Sequence, residues 1–294
     1  MLKGIIVKGI GGFYYVKTEV GIITCRARGK FRKDAIIPMV GDEVEITLSK
    51  EDITTGSVEK IYSRKKQMVR PPVANINQAV IVLAAAYPDP NMVLVDQFIV
   101  AAELEKLTVM LCINKIDLDV DRKHIALCNT YKNAGYQVVC TSTKTQQGIK
   151  DLYDALQKNI SVFAGASGVG KSSLLNEIKP NFNLETGAVS EKIKRGKHTT
   201  RHVELLALEK DSYVLDTPGF SSIDLKNVRK EELSFLFKEF VPHVDYCKFK
   251  GCSHISEPKC AVVDALKAGK ICQARYDNYK QFYNQLKDIK EWQR

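Results

Sequence analysis

Three short runs in this chain have the residue types and spacing that hold a nucleotide, and a fourth has those that hold a metal. Gly165-Ala166-Ser167-Gly168-Val169-Gly170-Lys171-Ser172 is a GxxxxGK[ST] run, followed at once by Ser173. Glycines in such a run let backbone N–H groups turn inward onto phosphate oxygens. Lys171 would reach the β- and γ-phosphates and the Ser172 hydroxyl would bind Mg²⁺. A helix opening at this point adds the positive end of its dipole. Asn114-Lys115-Ile116-Asp117 is an NKxD run. Asp117 can accept two hydrogen bonds from guanine N1–H and N2–H₂, a pair that adenine does not offer. If buried, it would be left unpaired by adenine, so the site rejects the wrong base. Asn114 orders the loop and faces the base, and the Lys115 stem can cover the ring. Thr141-Ser142-Thr143-Lys144 resembles the SAK-like loop whose backbone contacts guanine O6, which makes Ser142 a base contact.

Asp216-Thr217-Pro218-Gly219 is a DxxG run, with Asp216 directed toward Mg²⁺ and the Gly219 N–H toward a γ-phosphate. An ordinary GTPase runs phosphate loop, switch I, DxxG, NKxD. Here NKxD stands first, which makes the chain a circular permutation of that order. Between phosphate loop and DxxG lies Lys192-Ile-Lys-Arg195-Gly196-Lys197-His198-Thr199-Thr200-Arg201, in the position of switch I. One of Thr199 and Thr200 closes onto Mg²⁺, and Thr200 is preferred. The residue after DxxG, often a Gln that orients the attacking water, is Phe220. Phe cannot orient water, so His198 is the catalytic candidate in its place, with Lys171 and Thr200 completing the catalytic set.

Cys247-x₄-Cys252-x-His254-x₅-Cys260 offers three thiolates and an imidazole within fourteen residues. Such a soft four-ligand set suits a closed, tetrahedral, structural Zn²⁺ site. His243 and Cys272 are nearby substitutes ranked below these four. Cys25, Cys112, Cys128 and Cys140 are scattered in mostly apolar surroundings and read as small buried hydrophobes.

The elements that must position these runs follow from periodicity. Gly4–Ile10, Phe13–Thr18, Gly21–Ala27, Glu43–Leu48 and Ser57–Ile61 read as short strands, with Gly11-Gly12 and Gly41-Asp42 as turns. Five strands without a convincing helix predict a small closed barrel, of OB-fold or SH3-like type. Ser63 to Pro72 is a basic, proline-ended linker. Strand and helix then alternate from Ala79 to Leu215, which predicts a parallel α/β sheet with the phosphate loop between a strand at Ile160–Ala164 and a helix at Ser172–Ile178. Beyond Asn227 the pattern is helical: Glu231–Phe240, Ala261–Ala268 and Gln273–Trp292, the last with an aromatic stripe that reads as core. The expected fold class is thus multidomain, with a barrel over residues 1–65, a permuted α/β GTPase domain over 70–225 and a mostly helical zinc-binding domain over 226–294.

Of 294 residues, 44 are Lys or Arg and 34 Asp or Glu, a net charge of +10. Residues 1–70 carry 14 basic against 8 acidic side chains and residues 226–294 carry 14 against 9, so the basic excess flanks a near-neutral middle. Two basic ends suit a polyanionic partner, most simply RNA. The longest apolar run, Ala79 to Tyr87, is shorter than the ~20 residues a bilayer span requires. No secretory signal is visible, and a cytoplasmic monomer with no membrane partner is expected.

Taken together, the motif order, Arg70-Pro-Pro-Val-Ala-Asn75, Arg195-Gly-Lys-His-Thr-Thr200, the DTPGF run and the Cys/His cluster closely resemble the small-ribosomal-subunit-dependent GTPase A family, over essentially the whole chain. The resemblance implies an N-terminal OB-fold, a permuted GTPase domain and a C-terminal zinc domain. It also implies GTP hydrolysis to GDP, stimulated by the small ribosomal subunit, during late maturation of that subunit and through contact with its rRNA. The resemblance further implies that the switch I histidine acts where the Gln is absent, which matches His198. GTP or GDP, Mg²⁺ and one structural Zn²⁺ are the implied cofactors. The alternative is an RNA-binding assembly chaperone in which nucleotide is a structural ligand; a GTPase of tRNA modification or membrane traffic finds less support.

Overall fold

The computed structural model describes residues 1–29, 31, 36–68, 72–182, 184, 203–209, 211–216 and 228–287. The chain packs as two compact units. One comprises Met1–Gln78, Asp154–Phe163 and Glu191–Phe220, and the other Ala79–Tyr153, Ala164–Ser190 and Ser221–Arg294.

In the first unit, β1 (Leu2–Ile10), β2 (Phe13–Thr18), β3 (Gly21–Ala27), β4 (Glu43–Leu48) and β5 (Thr55–Ile61) form the N-terminal barrel. Alternation puts Ile6, Val16, Ile23, Val44, Ile46 and Val58 inside. The hydrogen-bonded order is β1-β2-β3-β5-β4, closed by β4 on β1. The β3–β5 pair is parallel while its neighbours are antiparallel. That crossover is the Greek-key closure of an OB-type barrel, which periodicity alone could not separate from an SH3-like one. The ladder between β1 and β2 shifts register between Ile6 and Lys8. Before this bulge β1 pairs with β4 through Leu2–Ile5, and after it Lys8 pairs with Glu204.

Glu204 opens β12 (Glu204–Glu209), which forms an antiparallel pair with β13 (Ser212–Asp216), and β13 runs parallel to β11 (Ile160–Ala164). The connection between β12 and β13 is too short for the crossover that parallel neighbours need. This hairpin is therefore the antiparallel exception to the expected parallel sheet. Gln78, 3% exposed, ties into the same layer through Ser161 Oγ at 2.6 Å and the Ala155 carbonyl at 3.0 Å.

The basic stretch after the barrel is fixed to it. Arg64 grips the buried Asp42 carboxylate with two parallel bonds, Nε to Oδ1 at 2.7 Å and Nη2 to Oδ2 at 2.8 Å. Asn75 Nδ2 donates to the Gly41 carbonyl at 2.9 Å, and Asn75 Oδ1 accepts from the Lys65 N–H. Gly41 has φ +90°, and a β-carbon there would lie 2.0 Å from the Ala74 carbonyl oxygen, so only glycine allows the approach. Strands β6 (Gln67–Met68) and β7 (Val73–Ala74) pair across this joint. Arg70 and Pro71 lie outside the described residues.

The second unit holds β8 (Gln78–Ala84), β9 (Thr108–Asn114) and β10 (Gln137–Cys140), with β9 and β10 parallel. β8 is buried at every residue, the near-continuous apolar run of a parallel-sheet strand. Around them lie α1 (Met92–Leu104), α2 (Lys123–Asn133), α3 (Ile149–Ala155) and α4 (Lys171–Ile178). The C-terminal region adds α5 (Val241–Val244), α6 (Ala261–Lys267) and α7 (Gln273–Lys287). The helix expected over Glu231–Phe240 is only a 3₁₀ turn at Leu233–Leu236, because Phe237 is extended (φ −103°, ψ 100°). That break lets both Phe237 and Phe240 meet the buried stripe of α7, with Tyr279 ring centroids 5.3 and 4.8 Å away.

A charged network fastens this region to α1 and α2. Arg275, 2% exposed, binds Glu239 through Nε and Nη2 and Asp96 through Nη1. Asp96 also accepts from Tyr131 at 2.9 Å and Asn278 at 2.7 Å. Among the described residues no helix is long and apolar enough to cross a membrane. Replacing Arg275 with Met leaves two carboxylates buried without their partner. It should cost about 3–5 kcal/mol, read as a lower urea midpoint, and Arg275→Lys should recover only part because lysine lacks the planar fork.

Candidate functional site

The NKxD run begins where β9 ends. Asn114 is buried, its carbonyl accepts from the Ala85 N–H at 2.7 Å, and the neighbouring Ile113 carbonyl accepts from Thr141. The chain then turns through Lys115 in the left-handed region (φ +61°) into a 3₁₀ turn at Ile116–Leu118. The Asn114 amide spans two loops. Its Nδ2 donates to the Val169 carbonyl of the phosphate loop at 3.0 Å, and its Oδ1 accepts from the Thr141 hydroxyl at 3.1 Å. Lys115 Nζ donates to the Gly168 carbonyl at 2.7 Å and to the Tyr87 carbonyl, laying its stem beside the loop.

Asp117 is exposed rather than buried, so its selectivity depends on the base that would cover it. One of its carboxylate oxygens accepts from the Ser142 hydroxyl at 2.6 Å, and that hydroxyl accepts from the Thr145 N–H at 3.1 Å. Ser142 thus orients the carboxylate through its side chain, a role that the backbone contact expected from the motif did not include. Gly148 closes the loop: a β-carbon there would sit 2.0 Å from the Cys140 carbonyl oxygen. Asp119, two residues past the motif, braces the turn by accepting from the His124 N–H and by pairing with its Nδ1, both at 2.7 Å. Burial alone would raise the Asp119 pKa, but these His124 contacts bring it below the usual carboxylate range. Asp119 and Thr141 were not assigned roles from sequence; an acid just beyond NKxD was the available signal for the first.

The phosphate loop leaves β11 and ends in α4, capped by Gly170 in the left-handed region (φ +99°). Gly165 has φ +147°, and a β-carbon there would lie 2.2 Å from the Val82 carbonyl oxygen. A β-carbon at Gly170 would lie 2.4 Å from Asn114 Nδ2. Both glycines are thus demanded by close approach as well as by φ. Lys171 Nζ donates to the Gly165 and Ala166 carbonyls, each at 2.8 Å, and burial lowers its pKa. An amine held among carbonyls, with no ion pair to a carboxylate among the described residues, is suited to anionic oxygens, whose arrival would offset that desolvation. Ser167 and Gly168 are exposed, Val169 is buried, and Ser172 and Ser173 are half-buried on the first turn of α4. Asn114, Lys115, Asp117, Ser142 and the residues from Gly165 to Ser173 are therefore brought together. His198, Thr199, Thr200 and Gly219 lie outside the described residues, and of Asp216 only the backbone, ending β13, is described.

The metal candidates also converge. The ligand atoms of Cys247, Cys252, His254 and Cys260 all lie within 4.8 Å of one another. His254 Nδ1 is 3.3 Å from Cys260 Sγ and 3.5 Å from Cys247 Sγ, and these two sulfurs are 3.9 Å apart. A tetrahedral Zn²⁺ with bonds of about 2.3 Å to sulfur and about 2.0–2.1 Å to nitrogen has ligand–ligand edges of about 3.5–3.8 Å. The donor set fits zinc in type and spacing. As thiolates with no cation between them they would repel one another, and burial pushes the Cys252 thiol up to about 12. The outer contacts are in place too: Tyr276 and Tyr279 hydroxyls donate to the His254 and Ser253 carbonyls at 2.7 and 2.8 Å, and Glu257 accepts from the Ser253 N–H at 2.7 Å. His243 and Cys272 are not part of the cluster.

Two family models match the chain, the RsgA N-terminal domain over residues 3–56 and the RsgA GTPase over residues 61–226. The chain belongs to the RsgA GTPase family. The small ribosomal subunit biogenesis GTPase RsgA of Caldanaerobacter subterraneus subsp. tengcongensis is 49% identical over 287 residues, covering 98% of this chain and 96% of that protein. The Bacillus cereus protein of the same name is 46% identical over 294 residues, with 99% of each covered. Among solved structures, YloQ, described as a circularly permuted GTPase, superposes with a TM-score of 0.83 at 39% identity over 99% of this chain and 96% of its own. YjeQ from Thermotoga maritima gives 0.85 at 37%, covering 98% and 99%. The inverted motif order is thus that of an RsgA-type permuted GTPase.

Two outcomes follow from this geometry. Ser142→Ala should weaken GTP and GDP binding about fivefold, the worth of one net hydrogen bond, as read by nucleotide titration; unchanged affinity would show that Asp117 needs no brace. Metal analysis of the purified protein should find one zinc per chain, and stripping it with a chelator should lower the unfolding temperature.

Proposed function

We propose that the protein binds the small ribosomal subunit and acts in its late maturation, hydrolysing GTP to GDP and phosphate with stimulation by the subunit. The observation that carries the GTPase reading is the direct bonding of Asn114 and Lys115 to the carbonyls of Val169 and Gly168. It joins a guanine motif to a phosphate loop that follows it in the chain by some fifty residues. The subunit is supported by the shared name of relatives that match nearly the whole chain and by the basic excess at both ends. The chain would divide into a barrel over 1–65, a permuted GTPase domain over 70–225 and a zinc-binding helical domain over 226–294; the two family models match residues 3–56 and 61–226.

In this reading Asp117, held by Ser142, selects guanine, and Lys115 covers the ring. Lys171 binds the β- and γ-phosphates while the loop from Gly165 to Ser173 turns its N–H groups toward them. Ser172, Thr200 and Asp216 would hold Mg²⁺, which neutralises charge on the phosphates. The Gly219 N–H would contact the γ-phosphate. His198 orients a water for in-line attack on the γ-phosphorus, and the bond to the bridging oxygen breaks to release GDP and phosphate. Phe220 offers no alternative, so turnover without a partner is slow and the subunit completes the site. Cys247, Cys252, His254 and Cys260 would hold Zn²⁺ as a structural ion for a C-terminal region that bears on rRNA. The protein would work as a monomer in the cytoplasm, where subunits mature.

GTP turnover measured with and without purified small subunits tests this. Subunits should accelerate it, and His198→Ala should lose about 100-fold or more of the accelerated rate while still binding GTP. A His198→Ala variant with the full stimulated rate would remove that residue from the mechanism. Subunits without effect on the wild-type protein would overturn the reading itself.

A further inference from the structure

Past its bulge, strand β1 still pairs with β2 and also borders the hairpin that carries the DxxG aspartate. Three strands of the first unit meet in one row. Lys8 of β1 is the register partner of Glu204 on β12, and Glu204 is the register partner of Asp216 on β13. The Lys8 ammonium meets the Glu204 carboxylate at 2.6 Å, with both side chains partly exposed. On its other side Lys8 pairs with Tyr15 of β2. Glu204 is also only a few residues downstream of His198 and Thr200 in the chain. Among the described residues the seam is short: Lys8 with Glu204 is its single register pair, whereas β1 shares longer ladders with β2 and β4.

We propose that Lys8 and Glu204 are positioning residues for GTP hydrolysis, and that this seam is the route by which RNA held on the barrel acts on the switch-bearing hairpin. The proposal rests on the subunit-stimulated GTPase reading above. A partner can shift a hydrolytic site only if it favours one arrangement of an element tied to that site. Strand β1 is such an element, because its first half closes the barrel while Lys8 borders β12. An RNA contact that favours one setting of β1 thereby favours one alignment of Glu204, and through the β12–β13 ladder one alignment of Asp216. Neither Lys8 nor Glu204 touches the reacting atoms; they act through Asp216 and the chain leading from switch I.

The test uses the full-length protein and purified small subunits. Lys8→Gln and Glu204→Gln are compared with wild type and with the charge-exchanged pair, Lys8→Glu together with Glu204→Lys. The readouts are GTP turnover at saturating subunit, turnover without subunit, and the subunit concentration giving half-maximal stimulation. A partly exposed ion pair in good geometry carries a factor of up to about five. Each single variant should therefore lose up to about fivefold in the ratio of stimulated to unstimulated turnover, and the exchanged pair should return most of it. Full ratios in both single variants would overturn the proposal. So would a loss that appears only as a higher half-maximal concentration for Lys8→Gln, because that is a lysine contacting RNA phosphate. A loss that the exchanged pair does not rescue would do the same if that variant unfolds at the wild-type temperature; if it does not fold, the two Gln variants decide. Wild-type protein unmoved by subunits would instead be a failure of the proposed function.

Discussion

The contact between Asn114 and the phosphate loop is the constraint on which the nucleotide site depends. A side-chain amide at the end of a buried strand donates to the Val169 carbonyl and accepts from Thr141, so one residue ties together the guanine loop, the phosphate loop and the loop after β10. The approach is close enough that Gly170 has no room for a β-carbon. Gly165 is under the same pressure from Val82 on the neighbouring strand. These glycines are usually explained by the turn that phosphates require. Here they are demanded equally by the backbone and side chain packed against them.

Because that constraint is spatial, the order of the motifs in the chain is free to change. Asn114 and Lys115 reach Gly168 and Val169 across the ends of strands, and neither contact depends on which segment is made first. Permutation therefore leaves the base and phosphate contacts intact while changing what is attached to each strand. The stretch that follows the barrel is held to it, where Arg64 and Asn75 bind Asp42 and Gly41. At the other end the C-terminal region is fastened to α1 and α2 by Arg275 and its two carboxylates.

The Cys/His cluster and the aromatic stripe of α7 support each other. The tyrosines bury their rings against Phe237 and Phe240 and spend their hydroxyls on carbonyls of the metal-binding loop. In sequence the stripe reads as core rather than as a base-stacking surface. Its burial shows that it is core, and that the metal loop is built onto it.

Much of the protein was determined by local chemistry and so was legible in the sequence. The phosphate loop, NKxD and the cysteine cluster announce themselves because each function needs particular atoms at fixed spacing along a short segment. Barrel strands and the α/β alternation were legible for a similar reason, since period-2 and period-3.6 burial are properties of single elements. What only the tertiary structure decided depends on residues far apart in the chain. The parallel β3–β5 closure distinguishes one barrel from another by strand order, to which periodicity is blind. Ser142 bracing Asp117, Arg64 on Asp42, and Arg275 between Asp96 and Glu239 are single polar side chains whose partners lie tens to nearly two hundred residues away. The pairing of Lys8 with Glu204 is the longest of these. A charge on a strand looks like solvated surface until the fold brings its partner to it.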